Sequence, residues 1–247
     1  MMGRRAKVIA IIQARMGGAR LPGKVLLDLA GEPMLARVVN RSRRATMPEE
    51  VVVATTTRPA DEAIVELCAA RGWPCFRGSE DDVLDRYYQA AIRYQADVVA
   101  RITADCPLIE PEIVDWVVQE FFEEGPLDYA SNTLPPRTFP RGLDVEVVTF
   151  DALERAWRED DSQAWREHVS PYIYRHPEKF ALRAVVNNVD LSSMRWTVDT
   201  PEDLAFVRQI YDYFGHDRFS WCEVLAVLED HPECLEINQR VAQKVVP

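Results

Sequence analysis

The sequence VIAIIQARMGGARLPGKVL, residues 8–26, begins as an apolar run and continues into a loop rich in glycine and cations. The apolar run over 8–12 has the pattern of a strand buried on both faces. The loop contains three glycines, one proline and three cations, Arg15, Arg20 and Lys24. Glycines let backbone N–H groups approach a ligand, and arginine and lysine around such a loop suit a polyphosphate. We therefore interpret the loop as phosphate-binding rather than as an exposed turn with solvated cations.

Part of the same loop also fits the Walker A pattern of NTPases. Residues 18–24 match G-x-x-x-x-G-K. A Walker A loop continues with Ser or Thr, whose hydroxyl holds Mg²⁺, whereas this chain has Val25. Pro22 also removes an N–H from a loop that should donate several hydrogen bonds. The sequence therefore disfavours a Walker NTPase.

The composition favours one α/β domain. A chain of 247 residues with 47% hydrophobic and 28% charged residues can bury a substantial single core. Its net charge of −11 argues against long nucleic acid or an anionic membrane as partner, since both need a basic face. Five cysteines without a C-x-x-C pair, no signal peptide and no long apolar segment predict a reduced, cytoplasmic protein.

Strands alternate with helices through the first 125 residues. Hydrophobic periodicity predicts strands over 8–12, 51–54, 73–76 and 97–103. Helices are predicted over 33–44 and 60–71, then after Ser79 as N-cap and from Pro111. Such βα units form a mostly parallel sheet covered on both faces, with ligands at the carboxyl ends of its strands. The phosphate loop, Thr55 and Asp105 all fall at these ends.

The second half of the chain is less regular. We predict strands over 128–131, 143–148, 181–186 and 195–198, and helices over 150–158, 163–175, 201–213 and 220–229. The strand at 181–186 is expected to pair antiparallel with the strand at 143–148. Asp144 and Glu146 share one face of the latter strand, which predicts either a surface in water or carboxylates at an acceptor pocket.

Two aspartates follow predicted strands and are candidates for metal binding. Asp105 and Asp199 each come directly after a strand, a position that often serves as a helix cap. After Asp199, however, Thr200, Pro201 and Asp203 already supply the cap, so this carboxylate is left over. Two such carboxylates facing a cationic loop suit Mg²⁺ that bridges triphosphate oxygens.

Several segments together resemble one protein family. They are IQAR at 12–15, RLPGKVL at 20–26, RGSEDDVLDRY at 77–87, RITADCPLI at 101–109 and VDTPEDL at 198–204. The chain resembles the CMP-sugar synthetases and, more narrowly, the SpsF-type cytidylyltransferases, which are relatives of the CMP-Kdo and acylneuraminate cytidylyltransferases. The resemblance implies an α/β, glycosyltransferase-A-like nucleotidyltransferase fold, with a mostly parallel, doubly wound sheet and a small antiparallel extension. A single domain over 1–247 would comprise a nucleotide-binding half (about 1–125), an acceptor-binding and dimerisation part (about 126–200) and C-terminal helices (201–247).

The resemblance also implies a reaction. CMP would pass from CTP to a sugar-like hydroxyl, with an acidic 3-deoxy sugar as acceptor and release of pyrophosphate, for surface polysaccharide or glycan synthesis. Arg15, Lys24 and Asp105 would be catalytic, and Asp105 and Asp199 would hold Mg²⁺. The implied nucleotide contacts are Ile12, Gln13, Ala14, Arg15, Gly17, Gly18, Lys24, Thr55, Arg77, Gly78 and Ser79. The implied acceptor contacts are Arg101, Asn132, Asp144, Glu146 and His168, and the implied assembly is a homodimer through about 128–187.

Three other functions compete with this hypothesis. A sugar-1-phosphate nucleotidyltransferase would use another NTP and need a cation for its acceptor, a role open to Arg101 or Arg141. Arg101 stands where CMP-Kdo synthetases typically carry Gln, so the acceptor stays open. A glycosyltransferase of this fold usually shows a D-x-D motif, which the sequence lacks. A catalytically silent scaffold would have lost one of the key charged residues. All four are present: Arg15, Lys24, Asp105 and Asp199.

Overall fold

The computed structural model describes residues 5–18, 20–123 and 125–243. The strands are β1 (Val8–Gln13), β2 (Asp28–Leu29), β3 (Glu32–Pro33), β4 (Glu50–Thr56), β5 (Cys75–Gly78), β6 (Val98–Thr103), β7 (Tyr129–Ser131), β8 (Glu146–Thr149) and β9 (Leu182–Ala184). The helices are α1 (Met34–Ser42), α2 (Glu62–Arg71), α3 (Val83–Tyr94), α4 (Pro111–Glu123), α5 (Phe150–Glu159), α6 (Gln163–His168), α7 (Pro171–Tyr174), α8 (Pro201–Phe214), α9 (Trp221–Asp230) and α10 (Glu233–Glu236). Short 3-10 helices span Lys24–Leu26 and Pro59–Asp61.

Seven strands form one sheet in the order β5-β4-β1-β6-β8-β7-β9. All neighbouring pairs are parallel except those of β8, which runs antiparallel to both β6 and β7. β2 and β3 form a separate antiparallel pair. The predicted mostly parallel sheet with a small antiparallel part is confirmed.

Alternate residues of β1 enter two different cores. Ala10 and Ile12 belong to the core formed with α1, α4, α8 and α9, whereas Ile9 and Ile11 belong to the core formed with α3, α5 and α7. Both faces of the strand are fully buried, as its unbroken apolar sequence predicts. The sheet is therefore doubly wound.

The ends of β1 and β6 mark the crevice of this sheet. β1 pairs with β4 on one side and with β6 on the other, so the chain changes winding direction there. The ladder continues past the strands, because Ala14 N–H donates to the Ala54 carbonyl and Ala104 N–H donates to the Gln13 carbonyl. In doubly wound sheets such a switch point is where ligands bind.

The pairing predicted for 181–186 is wrong. β9 pairs in parallel with β7, because β8 already has β6 and β7 as neighbours and offers no edge. Residues 195–198 also do not form a strand of the sheet: Arg195 makes only an isolated bridge with Arg141. Val198 N–H instead donates to the Asp105 carbonyl and thereby brings the two candidate metal ligands together.

Three smaller corrections concern element boundaries. α3 begins at Val83 with Asp82 as N-cap, and the Ser79 hydroxyl accepts from Asp82 N–H one turn earlier. The predicted helix at 163–175 is divided into α6 and α7 at Val169, whose φ of 71° is left-handed. The strand predicted from 143 begins at Glu146. Within the described residues, no helix has the length and apolar character of a membrane span.

Candidate active site

The loop after β1 is folded by its own backbone and by one buried aspartate. Gly23 N–H donates to the Met16 carbonyl at 2.8 Å, and Met16 N–H donates to Asp61 Oδ1 at 2.7 Å. Gly23 has a φ of 69°, a conformation that favours glycine over residues with a Cβ. A Cβ on Gly18 would lie 3.1 Å from the Leu21 carbonyl oxygen. These constraints bring Lys24 back to the end of β1.

Lys24 joins the two candidate metal ligands. Its Nζ lies 2.9 Å from Asp105 Oδ2 and 2.8 Å from Asp199 Oδ1, and it also donates to the Val198 carbonyl at 2.7 Å. Asp105 follows β6 and Asp199 precedes α8, so two residues far apart in sequence face one cation. The sequence prediction that both carboxylates face the cationic loop is thus consistent with their placement.

A buried network positions Asp199 from behind. Arg195 donates to Asp199 Oδ2 at 2.9 Å and to Asp203 Oδ1 at 2.8 Å. Asp203 is fully buried, completes a capping box with Thr200 and accepts from Asp199 N–H at 2.9 Å. The buried Asn238 amide donates to both the Arg195 carbonyl and Asp203. The predicted helix cap is confirmed, and Asp199 is the carboxylate left facing Lys24.

The electrostatics keep both partners of the Lys24–Asp105 pair charged. Burial alone would lower the pKa of the Lys24 ammonium, but Asp105 and Asp199 outweigh it and the pKa is raised. Burial alone would raise the pKa of the Asp105 carboxyl, but Lys24 and the Thr103 hydroxyl outweigh it and the pKa is lowered. Thr103 donates to Asp105 Oδ1 at 2.5 Å. The pair is therefore ionic at neutral pH.

These groups line a cleft of about 390 Å³ at the crevice between β1 and β6. Six cations and four carboxylates line it, so the cleft is locally positive on a chain of net charge −11. The predicted site residues found there are Gln13, Ala14, Arg15, Gly17, Gly18, Lys24, Arg101, Asp105, Asp144, His168 and Asp199. A polyanion suits such a cleft because desolvated cations attract phosphate strongly.

Five predicted nucleotide contacts are not among the residues that line the cleft. Ile12 and Thr55 are fully buried, since they belong to β1 and β4 within the sheet. Arg77 extends away, pairing with Glu62 and donating to the Thr56 carbonyl at 3.1 Å. Gly78 and Ser79 support α3: a Cβ on Gly78 would lie 3.0 Å from Arg86 Cγ, and the Ser79 carbonyl accepts from Arg86.

The predicted acceptor residues separate in the same way. Glu146 is buried, with 7% of its surface exposed, so the predicted alternative that this strand face lies in water is wrong for Glu146. It lies beside Arg101 in the β6–β8 register, pairs with that guanidinium, and accepts from Tyr129 Oη at 2.7 Å and from Ser170 Oγ. Arg101 also donates to Gln13 Oε1 at 3.0 Å. Arg101 faces the cleft, while Glu146 holds it from the core.

The remaining acceptor predictions differ in exposure. Asn132 is fully buried and does not line the cleft. Its side-chain amide donates to the Leu143 carbonyl and accepts from Val145 N–H, so it shapes the chain before β8. Asp144 lines the cleft and pairs with Arg137. His168 lines the cleft at the end of α6, on the side where Glu167 contacts Arg15 at 3.2 Å.

Arg20 was predicted only as one of the phosphate-loop cations, and in the structure it contacts Asp199 Oδ2 at 2.8 Å. Two further charged or polar cleft residues, Arg86 and Gln243, were not among the sequence predictions. Gln243 comes from the segment after α10 and contacts Arg195, which no local pattern indicates. Arg86 lies on α3, where a cation in a helix looks like an ordinary surface residue.

The donor set fits a magnesium ion shared with a substrate. The Lys24 ammonium stands as a cation between two carboxylates, which are the hard oxygen ligands that Mg²⁺ prefers. No cluster of three or more His, Cys, Asp or Glu suited to a metal occurs within the described ranges. Mg²⁺ commonly binds through one or two carboxylates together with substrate phosphates and water. Asp105 and Asp199 suit that mode.

The cytidylyltransferase family model matches residues 9–229. The chain belongs to the cytidylyltransferase family. The family predicted from the sequence motifs is thereby confirmed, and the match covers the phosphate loop, Asp105 and Asp199 alike. Membership shows a CTP-dependent nucleotidyltransferase.

The chain is similar to three known proteins over part or nearly all of its length. The spore coat polysaccharide biosynthesis protein SpsF of Bacillus subtilis is 31% identical over 92% of this chain and 95% of its own. A 3-deoxy-manno-octulosonate cytidylyltransferase of an Anaeromyxobacter species is 38% identical over 58% of each chain. The solved structure of a cytidylyltransferase from Leptospira borgpetersenii is 34% identical, covers 98% of this chain and 100% of its own, and superposes with a TM-score of 0.90.

Proposed function

We propose that this protein transfers CMP from CTP to an acidic 3-deoxy sugar and releases pyrophosphate, for surface polysaccharide or glycan synthesis. The observation that carries the proposal is the Lys24 ammonium held between Asp105 and Asp199 at the end of a glycine-rich loop. The names of the similar proteins support the acceptor class, since one is a 3-deoxy-manno-octulosonate cytidylyltransferase and another acts in polysaccharide biosynthesis.

The loop after β1 would bind the triphosphate. Gly17 and Gly18 line the cleft, and the open space beside Gly17 would let phosphate oxygens approach the backbone there. Arg15 and Lys24 would contact these oxygens and offset the charge that builds on the departing pyrophosphate. Lys24 would exchange a carboxylate partner for a phosphate partner when the nucleotide enters.

Asp105 and Asp199 would hold Mg²⁺ together with the nucleotide phosphates. When bound, the ion supplies charge neutralisation and orientation at the α-phosphate. Around it, Arg195 and Asp203 keep Asp199 in place, and Thr103 keeps Asp105 in place. Positioning and electrostatics account for such a transfer without a covalent nucleophile.

The acceptor would lie on the Arg101 side of the cleft. Arg101, Arg141 and His168 line the cleft, and the two guanidinium groups suit the carboxylate of an acidic sugar. Glu146 and Gln13 hold the Arg101 guanidinium in a fixed orientation. The acceptor hydroxyl would attack the α-phosphate as the bond to the β-phosphate breaks.

A panel of nucleotides and acceptors tests the reaction. The purified protein is incubated with Mg²⁺, each NTP in turn and a series of acidic 3-deoxy sugars, and pyrophosphate is measured. Release with CTP and an acidic 3-deoxy sugar is the expected result. Release that needs a sugar 1-phosphate would instead identify the competing sugar-1-phosphate nucleotidyltransferase, for which Arg101 and Arg141 would bind the acceptor phosphate.

The homodimer and the cytoplasmic location stay predictions. Val186 and Val189 are 43% and 60% exposed at the border of the region expected to dimerise. Burial of such side chains against a second copy would remove apolar surface from water. Sedimentation equilibrium of the wild-type protein measures its mass directly, and a monomeric mass at micromolar concentration would contradict the dimer.

A further inference from the structure

Arg86 is a cation buried at the wall of the cleft. It lies in the first turn of α3, is 1% exposed, and still belongs to the residues that line the cleft. A guanidinium loses strong hydration when it is buried, so it requires acceptors or a counter-charge at its new position. The hydrogen bonds and ion pairs of Arg86 therefore show whether the fold itself provides these acceptors or this counter-charge.

Among residues 5–18, 20–123 and 125–243, the Arg86 guanidinium makes one hydrogen bond. Nη1 donates to the Ser79 carbonyl at 2.8 Å, while Nε is buried without an acceptor. Within the part of the chain that the structure describes, no carboxylate forms an ion pair with it. The two acidic groups that act on it electrostatically have other partners: Asp61 accepts from the loop and Thr56, and Glu80 pairs with Arg58.

Arg41 shows how this protein satisfies a structural arginine. It is also 1% exposed, but it donates to the carbonyls of Ile109, Asp217 and Phe219 and forms an ion pair with Glu110 at 3.2 Å. Among the described residues, Arg86 has one carbonyl acceptor, that of Ser79, and no ion pair. Burial lowers the pKa of its guanidinium, and the neighbouring Arg15 guanidinium adds to that lowering.

Arg15 and Arg86 therefore line the same cleft as neighbouring cations, and no described carboxylate forms an ion pair with Arg86. Arg15 has one partner, the Glu167 carboxylate at 3.2 Å, and both of these side chains are substantially exposed. Arg86 is held rigidly, since Gly78 leaves room for its stem and Ser79 fixes one end of its fork. A neutral base does not supply the missing charge, whereas a phosphate group does.

We propose that Arg86 is a phosphate-binding residue of the nucleotide site, contributed by α3 and acting opposite the loop after β1. The inference rests on the proposed function only in taking the anion to be a nucleoside triphosphate. The segment 78–79 then serves the nucleotide indirectly, by positioning this guanidinium. Because Arg86 lines the cleft, a phosphate group bound there would supply the counter-charge that no ion pair with a described carboxylate provides.

Binding of inorganic tripolyphosphate and of cytidine to the full chain, measured by calorimetry, separates the possible roles. R86M should weaken tripolyphosphate binding by about 10-fold or more, which corresponds to about 1.4 kcal/mol, and leave cytidine binding within about 2-fold. R93Q, on the exposed side of the same helix, should bind both ligands as the wild type does. Unchanged tripolyphosphate binding in R86M, or a loss confined to cytidine, would overturn the proposal.

The stability of the unliganded variants provides a second, independent readout. R86M should unfold at the same or a higher denaturant midpoint than the wild type, because it removes a buried charge without a counter-ion. A structural role like that of Arg41 predicts a large loss of stability instead, as expected for R41M. If R86M does not fold, R86Q, which keeps a donor for the Ser79 carbonyl, is used for the binding measurement.

These measurements require neither turnover nor an acceptor. Loss of tripolyphosphate binding in R86M from an enzyme that prefers another NTP would overturn the proposed CTP reaction and leave the role of Arg86 standing. Normal CTP turnover by the wild type, together with unchanged tripolyphosphate binding in R86M, would overturn the role of Arg86 and leave the proposed CTP reaction standing.

Discussion

At the scale of single residues, the candidate site depends on charges that hold one another in place. The Lys24 ammonium, the two carboxylates it joins and the Arg195 guanidinium behind Asp199 form one continuous set of ion pairs. Each member is partly buried, so its neighbours substitute for lost hydration. A change to one member is therefore expected to affect the others.

The Asp105 pairing predicts a specific dependence of stability on pH. Its pKa is lowered in the folded protein, so the stabilisation is present above the ordinary carboxyl pKa and is lost as pH falls through the folded value. The free energy of unfolding of the wild type should fall more steeply below about pH 4 than that of D105N. Denaturant titrations across the acid range measure both slopes. Equal slopes would contradict the ionic pairing of Asp105 with Lys24.

A second residue-scale prediction concerns Glu146. E146Q leaves the Arg101 guanidinium buried without its counter-charge and should reduce the free energy of unfolding by about 3–5 kcal/mol. Y129F removes one hydrogen bond to the same carboxylate and should cost about 1 kcal/mol. Chemical denaturation of both variants measures the difference, and similar losses would show that the charge of Glu146 is not needed.

At the scale of elements, the start of α8 links the fold to the site. Thr200 and Asp203 form its capping box, and Asp203 also holds Arg195 and Asp199 N–H. The helix start therefore fixes the direction of the Asp199 carboxylate. The local sequence predicted the cap. It did not predict the contribution of Arg195, which lies eight residues before Asp203 and contacts it only because of the folded path of the chain.

Substitutions at this helix start should have separable effects. T200A removes a cap and should cost about 1 kcal/mol in stability while leaving most activity. D203N should cost several kcal/mol and lower turnover at least 10-fold, because Asp199 loses its support. Unfolding and pyrophosphate release are measured on both variants. Full activity in a folded D203N protein would contradict the positioning role.

At the scale of the whole molecule, the acidic surface and the cationic cleft have opposite sign. The net charge of −11 repels extended polyanions, while six cations gathered in one cleft attract a short one. In the proposed reaction, a small triphosphate would occupy the cleft without facing the rest of the surface. The fold thus combines an acidic protein with an anionic substrate.

This separation of charge predicts selective binding. The protein should bind CTP but not a short DNA duplex at physiological salt, and CTP affinity should decrease as salt concentration increases. Fluorescence anisotropy with a labelled duplex and calorimetry with CTP measure the two interactions. Tight duplex binding would contradict the expected exclusion of nucleic acid.

The sequence predicted the parts of this molecule that depend on local pattern. The apolar run at 8–12, the loop cations, Asp105 after β6 and the helix cap after Asp199 are recognisable because buried strands, strand ends and helix caps leave a signature in neighbouring residues. The pairing of β9 with β7 was not predictable in that way, since it depends on which sheet edge is open. Glu146 alternates like a solvated residue, and only its register with Arg101 on β6 explains its burial.

Metal binding by Asp105 and Asp199 is tested most directly by comparing Mg²⁺-dependent pyrophosphate release from CTP by the wild type, D105A and D199A. Near-identical circular dichroism spectra establish that the three proteins are folded. Each substitution should lower turnover at least 100-fold, because each removes one of the two carboxylates that would hold the ion against the triphosphate. A wild-type rate in either variant would contradict the role of that aspartate in metal binding.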